Sequence, residues 1–310
     1  MSKIAFLFPG QGSQAAGMGL ALRDASPKAR SVFEEADAAL DFPISKLCFE
    51  GPDDQLKLTE NTQPALVTVS TAAFVVLTEA GYVPEYVAGH SLGEYSALVA
   101  AGSLRFADAV RIVRNRGRYM QEAVPSGMGA MAALLKLPEG KLDAILAEAA
   151  QGEVVQAANF NSPDQIVIAG HAGAVQRAAD LAKAAGAKRA ILLPVSAPFH
   201  CALMRPAQQR LKADLDAAVF ASLRATLINN WQAAEVRDGA AARQGLYEQV
   251  PNPVRWFDSM RKLIDLGVTR FVEVGAGAVL TGLLKNINPE VKCVKFGEPA
   301  DLEKVRELLS

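Results

Sequence analysis

The chain has 310 residues, with 32 Lys and Arg against 33 Asp and Glu, a formal net charge of −1. Half of the residues are hydrophobic and 21% are charged, which describes a globular chain with an ample core and argues against disorder. A charge so near balance offers no whole-molecule field to nucleic acid or to a membrane surface, and the length calls for one large domain with an insertion or for two domains.

Three cysteines, Cys48, Cys201 and Cys293, form an odd and scattered set without metal-like spacing, so neither a disulfide framework nor a zinc site is expected. The apolar run before Gly10 is too short for a signal peptide, and the longest apolar stretch, residues 65–80, is interrupted by Thr and Ser. The expectation is a soluble cytoplasmic protein with no membrane and no nucleic-acid partner.

Along the chain, Ile4–Phe8 reads as a buried strand closed by Pro9-Gly10. Thr62–Ala80 reads as a helix with Pro64 in its first turn and Gly81 just past its end. Tyr86–Gly89 is a short strand that runs into Ser91-Leu92-Gly93 and a helix from Glu94 to Ala101. Ser103 is the expected cap of a helix reaching about Val124, ahead of Pro125. This alternation predicts a parallel sheet flanked by helices.

The pattern then changes. Strands are expected over Met128–Leu135, Val154–Ala158, Gln165–Ala169 and Arg189–Val195, with helices over Lys141–Ala150 and Ala172–Ala185. That β-α-β-β-α-β order is the ferredoxin-like split pattern. Arg205–Phe220 reads as a helix, Thr226–Asn229 and Arg270–Val274 as strands, and 233–245 as a surface helix or loop. The fold class predicted is α/β, with a discontinuous large domain at 1–126 and 198–310 and an inserted subdomain at 127–197.

Gly89-His90-Ser91-Leu92-Gly93 is a G-x-S-x-G sequence between a predicted strand and a predicted helix. A sharp turn there lifts the Ser91 hydroxyl clear of the sheet, and the Leu92 N–H at the helix start can donate to an oxyanion. A serine nucleophile needs a base. Of the three histidines, His90 is expected to point away along the turn, and His171 lies in a turn of the insert. His200, where the chain returns to the large domain, is best placed. Cys201 beside it reads as a small buried residue.

On the 103–124 helix, at about 100° per residue, Arg111, Arg114 and Arg118 share an arc with Asp108, Asn115, Gln121 and Glu122. Arg116 falls on the other arc, with Ala109, Ile112, Val113 and Met120. A buried guanidinium keeps its charge and needs a partner. Two partners fit: an internal carboxylate in a structural ion pair, or a substrate carboxylate held bidentately.

Seven segments stand out: FPGQGSQ at 8–14, GHSLGEYSAL at 89–98, RNRGRYMQEAVP at 114–125, GAMAAL at 129–134, ANFNSPDQIVIAG at 158–170, SAPFHCALM at 196–204 and NPVRW at 252–256. Together they resemble one family, the malonyl-CoA:acyl carrier protein transacylases. The resemblance implies an α/β-hydrolase-like domain with a ferredoxin-like insertion. It implies Ser91 as nucleophile, His200 as base, and the backbone N–H groups of Gln11 and Leu92 as the oxyanion hole. Arg116 is implied as the clamp on the malonyl carboxylate, and the Gln249 carbonyl as the group that orients His200 in place of a triad acid. His90 and Asn161 are implied to line the cleft, and bulky Phe199 resembles the malonyl-selective pattern of related polyketide acyltransferases.

The implied reaction is a ping-pong exchange through malonyl-Ser91, from malonyl-CoA to the phosphopantetheine thiol of an acidic acyl carrier protein, with no metal or redox cofactor. A monomer is expected. Lys188 and Arg189 are candidates for the basic side of the cleft mouth, or plain surface charges. Serine hydrolases share the elbow but place the histidine near the chain end, whereas about a third of this chain follows His200. A non-catalytic carrier-binding module fits poorly with Ser91, His200 and Arg116 all present.

Overall fold

The computed structural model describes residues 3–125, 127–195 and 197–310. The expected boundary at Ser126 and the first residue of the 196–204 motif lie outside the described residues. The chain opens with β1 (Lys3–Phe8), α1 (Leu20–Ala25), α2 (Pro27–Leu40), α3 (Ile44–Glu50), α4 (Asp53–Leu56) and the long α5 (Thr59–Glu79). Next come β2 (Tyr86–Gly89), α6 (Gly93–Ala100) and α7 (Phe106–Glu122). The middle holds β3 (Gly129–Leu135), α8 (Leu142–Ala150), β4 (Val155–Ser162), β5 (Gln165–His171), α9 (Ala172–Ala184) and β6 (Arg189–Leu192). Then follow α10 (Arg205–Ala217), β7 (Thr226–Ile228), β8 (Glu235–Val236), α11 (Gly239–Gln249) and α12 (Trp256–Asp265). The chain ends with β9 (Val268–Val274), α13 (Val279–Ile287), β10 (Lys292–Phe296) and α14 (Leu302–Leu309).

Two sheets result. One runs β10-β9-β1-β2-β7-β8, parallel throughout except for the short β8 at its edge. The other is antiparallel, in the order β4-β5-β3-β6. Strands β1 and β2 are apolar and buried because helices cover both faces of a parallel sheet. Their register pairs Phe8 with Gly89, so the loop carrying Gln11 and the elbow carrying Ser91 leave the sheet side by side. In open α/β sheets, sites form at these carboxyl ends of the strands.

Two helix starts differ from expectation. Helix α5 begins at Thr59, which leaves Pro64 inside it. A proline there forgoes one helix hydrogen bond, but every residue from Asn61 to Ala73 is buried, and packing outweighs the local preference. Its end is as expected: Gly81 has φ +88° and donates to Thr78 O, while Tyr82 N donates to Leu77 O. Ser103 does not cap α7. Its hydroxyl donates instead to Ala221 O at 2.7 Å, and Arg105 occupies the cap position without a side-chain bond.

Around α7 the two arcs separate as expected, with Ala109, Ile112, Val113, Arg116 and Met120 buried and Arg111 and Arg118 exposed. Arg114 departs partway. It is half-buried, with its guanidinium 4.2 Å from the centre of the Phe42 ring.

The elbow depends on close backbone approach. A methyl group on Gly93 would lie 2.0 Å from the Phe8 carbonyl oxygen. Since that oxygen belongs to the central strand, Gly93→Ala is expected to cost about 3 kcal/mol, the upper range for overpacking. Chemical denaturation should show a matching drop in midpoint.

Candidate active site

Ser91 sits between β2 and α6 with φ +50°, a left-handed conformation that a serine holds only when its neighbours enforce it. Three bonds do so. The Ser91 N–H donates to Asn230 Oδ1 at 2.6 Å, and Gln249 Nε2 donates to Ser91 O at 3.0 Å. Asn230 Nδ2 in turn donates to Gly89 O at 2.7 Å, which ties the end of β2 to the same side chain.

His200 also has a positive φ, +58°, and is buried. Its Nε2 lies 2.7 Å from Ser91 Oγ, and its Nδ1 lies 3.0 Å from Gln249 O. A carbonyl oxygen only accepts, so Nδ1 carries the proton and Nε2 is left to accept from the Ser91 hydroxyl. Burial, reinforced by the Arg116 charge, pushes the His200 pKa from 6.5 down to about 3. The imidazole is therefore neutral, the form that accepts a proton, across neutral and mildly acidic pH. The free-enzyme rate constant, kcat/KM, is expected to show no loss on acidification through 6.5, which a pH–rate profile checks.

Arg116 is 2% exposed. Its NH1 donates to Gln63 Oε1 at 2.7 Å, and its NH2 donates to Gln249 Oε1 at 2.9 Å and to Ser91 Oγ at 3.1 Å. All three partners are neutral. Among the described residues no carboxylate forms an ion pair with it, so the structural ion pair left open above is not what holds this arginine. Its Nε, also buried, has no partner.

These groups face one cavity of about 140 Å³, walled also by Gln11, Leu92, His90 and Phe199. Met120, Met131, Leu193 and Val195 supply its apolar side. Leu92 stands at the cap position of α6, where backbone N–H groups lack helical partners. His90 turns its Nε2 to Asn161 Oδ1 at 2.8 Å and packs its ring against Trp256. Asn161 thus stands behind His90 rather than in the wall. The residue of β4 that reaches the cavity is Asn159.

The remaining candidates lie apart. His171 Nδ1 accepts from Val154 N at 2.9 Å, a structural bond inside the second sheet. Cys201 is fully buried, donates to Pro198 O at 3.1 Å, and has its thiol pKa pushed up to about 11 by burial. Among the described residues no group of three or more His, Cys, Asp or Glu could hold a metal ion, and no helix is long and apolar enough to cross a membrane.

Four participants carry no motif that marks them in the sequence: Asn230, Glu94, Gln63 and the Gln249 side chain. The one available signal was the pair Asn229-Asn230 directly after a short apolar strand, since paired amides at a strand end are suited to binding backbone groups.

The acyl transferase domain model matches residues 5–295. The malonyl CoA-acyl carrier protein transacylase of Bacillus subtilis is 49% identical over 304 residues, covering 98% of this chain and 96% of that one. Among solved structures, the transacylase of the same name from Coxiella burnetii superposes with a TM-score of 0.97 at 41% identity, covering 100% of this chain and 98% of that one. A malonyl-transacylase in complex with a holo type II polyketide synthase acyl-carrier protein superposes with a TM-score of 0.96 at 44% identity, covering 99% of each chain. With similarity of this extent over nearly the whole length, the chain belongs to the acyl transferase domain family, as a member of the malonyl CoA-acyl carrier protein transacylases.

Proposed function

We propose that the chain moves a malonyl group from malonyl-CoA to the phosphopantetheine thiol of an acyl carrier protein through an ester on Ser91. The observation that carries this reading is the buried Arg116, bonded to the nucleophile's own oxygen and to neutral amides only. A neutral acyl group would have no use for that charge, whereas a carboxylate two bonds beyond a thioester carbonyl would meet it.

His200 Nε2 takes the proton of Ser91 as Oγ attacks the thioester carbon. The Gln249 carbonyl, 3.0 Å from Nδ1, stabilises the imidazolium in place of a carboxylate. The oxyanion rests on the Gln11 and Leu92 amides. The imidazolium then returns its proton to the departing coenzyme A sulfur, leaving malonyl-Ser91 with its carboxylate on Arg116. The carrier thiol repeats the sequence in reverse. One thioester is exchanged for another, so no oxidation state changes, and the reading includes no resident cofactor. Phe199, in the wall beside His200, would crowd a branched extender unit.

In this reading residues 1–126 and 198–310 form an α/β-hydrolase-like domain and residues 127–197 a ferredoxin-like subdomain. The order β4-β5-β3-β6, built from a β-α-β-β-α-β chain, supports the second assignment. Lys188 and Arg189 are exposed and share a groove with Lys136 and its partner Asp164, a net basic lining that suits an acidic carrier. The enzyme would work as a cytoplasmic monomer supplying malonyl-carrier protein for fatty-acid or polyketide elongation. Intact-protein mass after brief exposure to malonyl-CoA should show one malonyl adduct, which holo carrier protein then removes. No adduct, or one that water removes as fast as the carrier does, would refute the reading.

A further inference from the structure

One buried ionisable group at the site has no part in this chemistry. Glu94, on α6, is completely buried, and its Oε2 accepts from Asn230 N and from Gln249 Nε2, each at 2.9 Å. Its Oε1 has no partner. The Gln249 amide thus lies between two charges, donating to Glu94 through Nε2 and accepting from Arg116 through Oε1 at 2.9 Å. The same Gln249 holds Ser91 O through its side chain and His200 Nδ1 through its backbone.

We propose that Glu94 is a positioning residue that sets, through Gln249, how tightly Arg116 holds the substrate carboxylate. In the empty enzyme an ionised Glu94 is the counter-charge to Arg116, one amide away. When the malonyl carboxylate arrives, two carboxylates share one guanidinium in a dry pocket, and like charges there cannot both persist cheaply. The unpartnered Oε1 is the oxygen open to a proton. A protonated Glu94 leaves Arg116 wholly to the substrate, while an ionised one competes for it.

The surroundings make Glu94 the group able to change charge near neutrality. Burial raises its carboxyl to about 7, opposed by its bonds to Asn230 and Gln249 and by Arg116. From α7 it faces Arg116, which stays charged. His90, at the elbow, and His200, on the returning loop, are both held neutral by burial. Beside it on α6, burial raises the Tyr95 phenol well above its usual range, so it too stays neutral. Asn230 and Gln249 do not titrate.

The inference rests on Arg116 being the carboxylate clamp. The test uses the malonyl thioester of N-acetylcysteamine, which carries no phosphate to titrate. For the wild type, KM is expected to rise at least about fivefold between roughly pH 6 and pH 8.5, a linkage of under one pKa unit. Glu94→Gln keeps an acceptor oxygen for Asn230 and Gln249 but removes the charge, so its KM should stay low and flat over that range. A wild-type KM that is flat, or a Glu94→Gln profile rising like the wild type, overturns the proposal. Should the variant not fold, the wild type alone decides. Loading near pH 7 should take up a substantial fraction of a proton per malonyl-enzyme, seen with a pH indicator, and no uptake sinks the idea. Arg116→Ala separates the two readings: if it binds malonyl as well as the wild type, the clamp itself is wrong, whereas failure of the Glu94 profiles alone leaves the clamp intact.

Discussion

Ser91→Ala should carry no malonyl adduct after exposure to malonyl-CoA and should lose transfer activity by about four orders of magnitude or more. The substitution removes one oxygen and little else. The bonds that shape the elbow, Ser91 N to Asn230 Oδ1 and Gln249 Nε2 to Ser91 O, use the backbone and persist in alanine. His200 loses a donor to Nε2 but stays neutral, because its pKa lies far below neutrality. Arg116 NH2 keeps Gln249 Oε1. The variant should therefore unfold at nearly the wild-type temperature while showing no covalent intermediate. Intact-protein mass and a thermal melt on the same sample check both halves. An adduct on Ser91→Ala would place the nucleophile elsewhere, and the other buried thiols and hydroxyls would need examination.

How much of this site could be read from residues alone depends on the span of each contact. The elbow is local: a strand, two glycines and a helix within about a dozen residues, all visible as pattern. The burial of Arg116 is also local information, since helical periodicity placed it among Ala109, Ile112, Val113 and Met120. By contrast, Asn230 meets Ser91 across 139 residues, and Gln249 meets Glu94 across 155. No periodicity encodes such pairings, and family resemblance supplied the Gln249 carbonyl but not its side chain. Glu94 shows the limit most clearly. A glutamate in the first turn of a helix reads as an ordinary favourable charge at a helix start, and its complete burial appears only once α11 and the loop after β7 close over it.

The same distinction explains the fold. Apolar runs mark β1 to β7 and β9, and polar–apolar arcs mark α5 to α10, most with boundaries within a few residues of expectation, whereas α12, α13, β10 and α14 carry no expectation above. Between Leu20 and Leu56 the helices α1 to α4 leave no readable period, because Pro27, Pro43 and Pro52 cut the pattern into pieces too short for one to show. The segment 233–245, which reads as a surface helix or loop, holds the edge strand β8 and the start of α11. Its alanines carry too little hydrophobic contrast to mark a buried face, and Asp238, whose side chain accepts from Ala241 N, caps the helix.

Arg116→Ala should invert the enzyme's choice of acyl group. Losing a buried, charge-assisted contact to a carboxylate costs about 2–5 kcal/mol, so malonyl loading from malonyl-CoA should slow by roughly 30-fold to several thousand-fold. An acetyl group makes no such contact and gains the room the guanidinium vacates, so acetyl loading should hold or rise. Competition between the two donors, read as the ratio of adduct masses, measures the change directly. Stability should move much less than specificity. Removing the side chain frees Gln63 Oε1 and Gln249 Oε1, a loss, but it also removes a buried cation, and Glu94, left without its counter-charge, can meet the change by taking up a proton. Arg116→Lys should fall between, since a point charge cannot span two carboxylate oxygens as the planar fork does. The opposing result is equally specific. If malonyl and acetyl loading fall together, the 3.1 Å contact from NH2 to Ser91 Oγ is what matters, and Arg116 serves to aim the nucleophile rather than to choose the substrate.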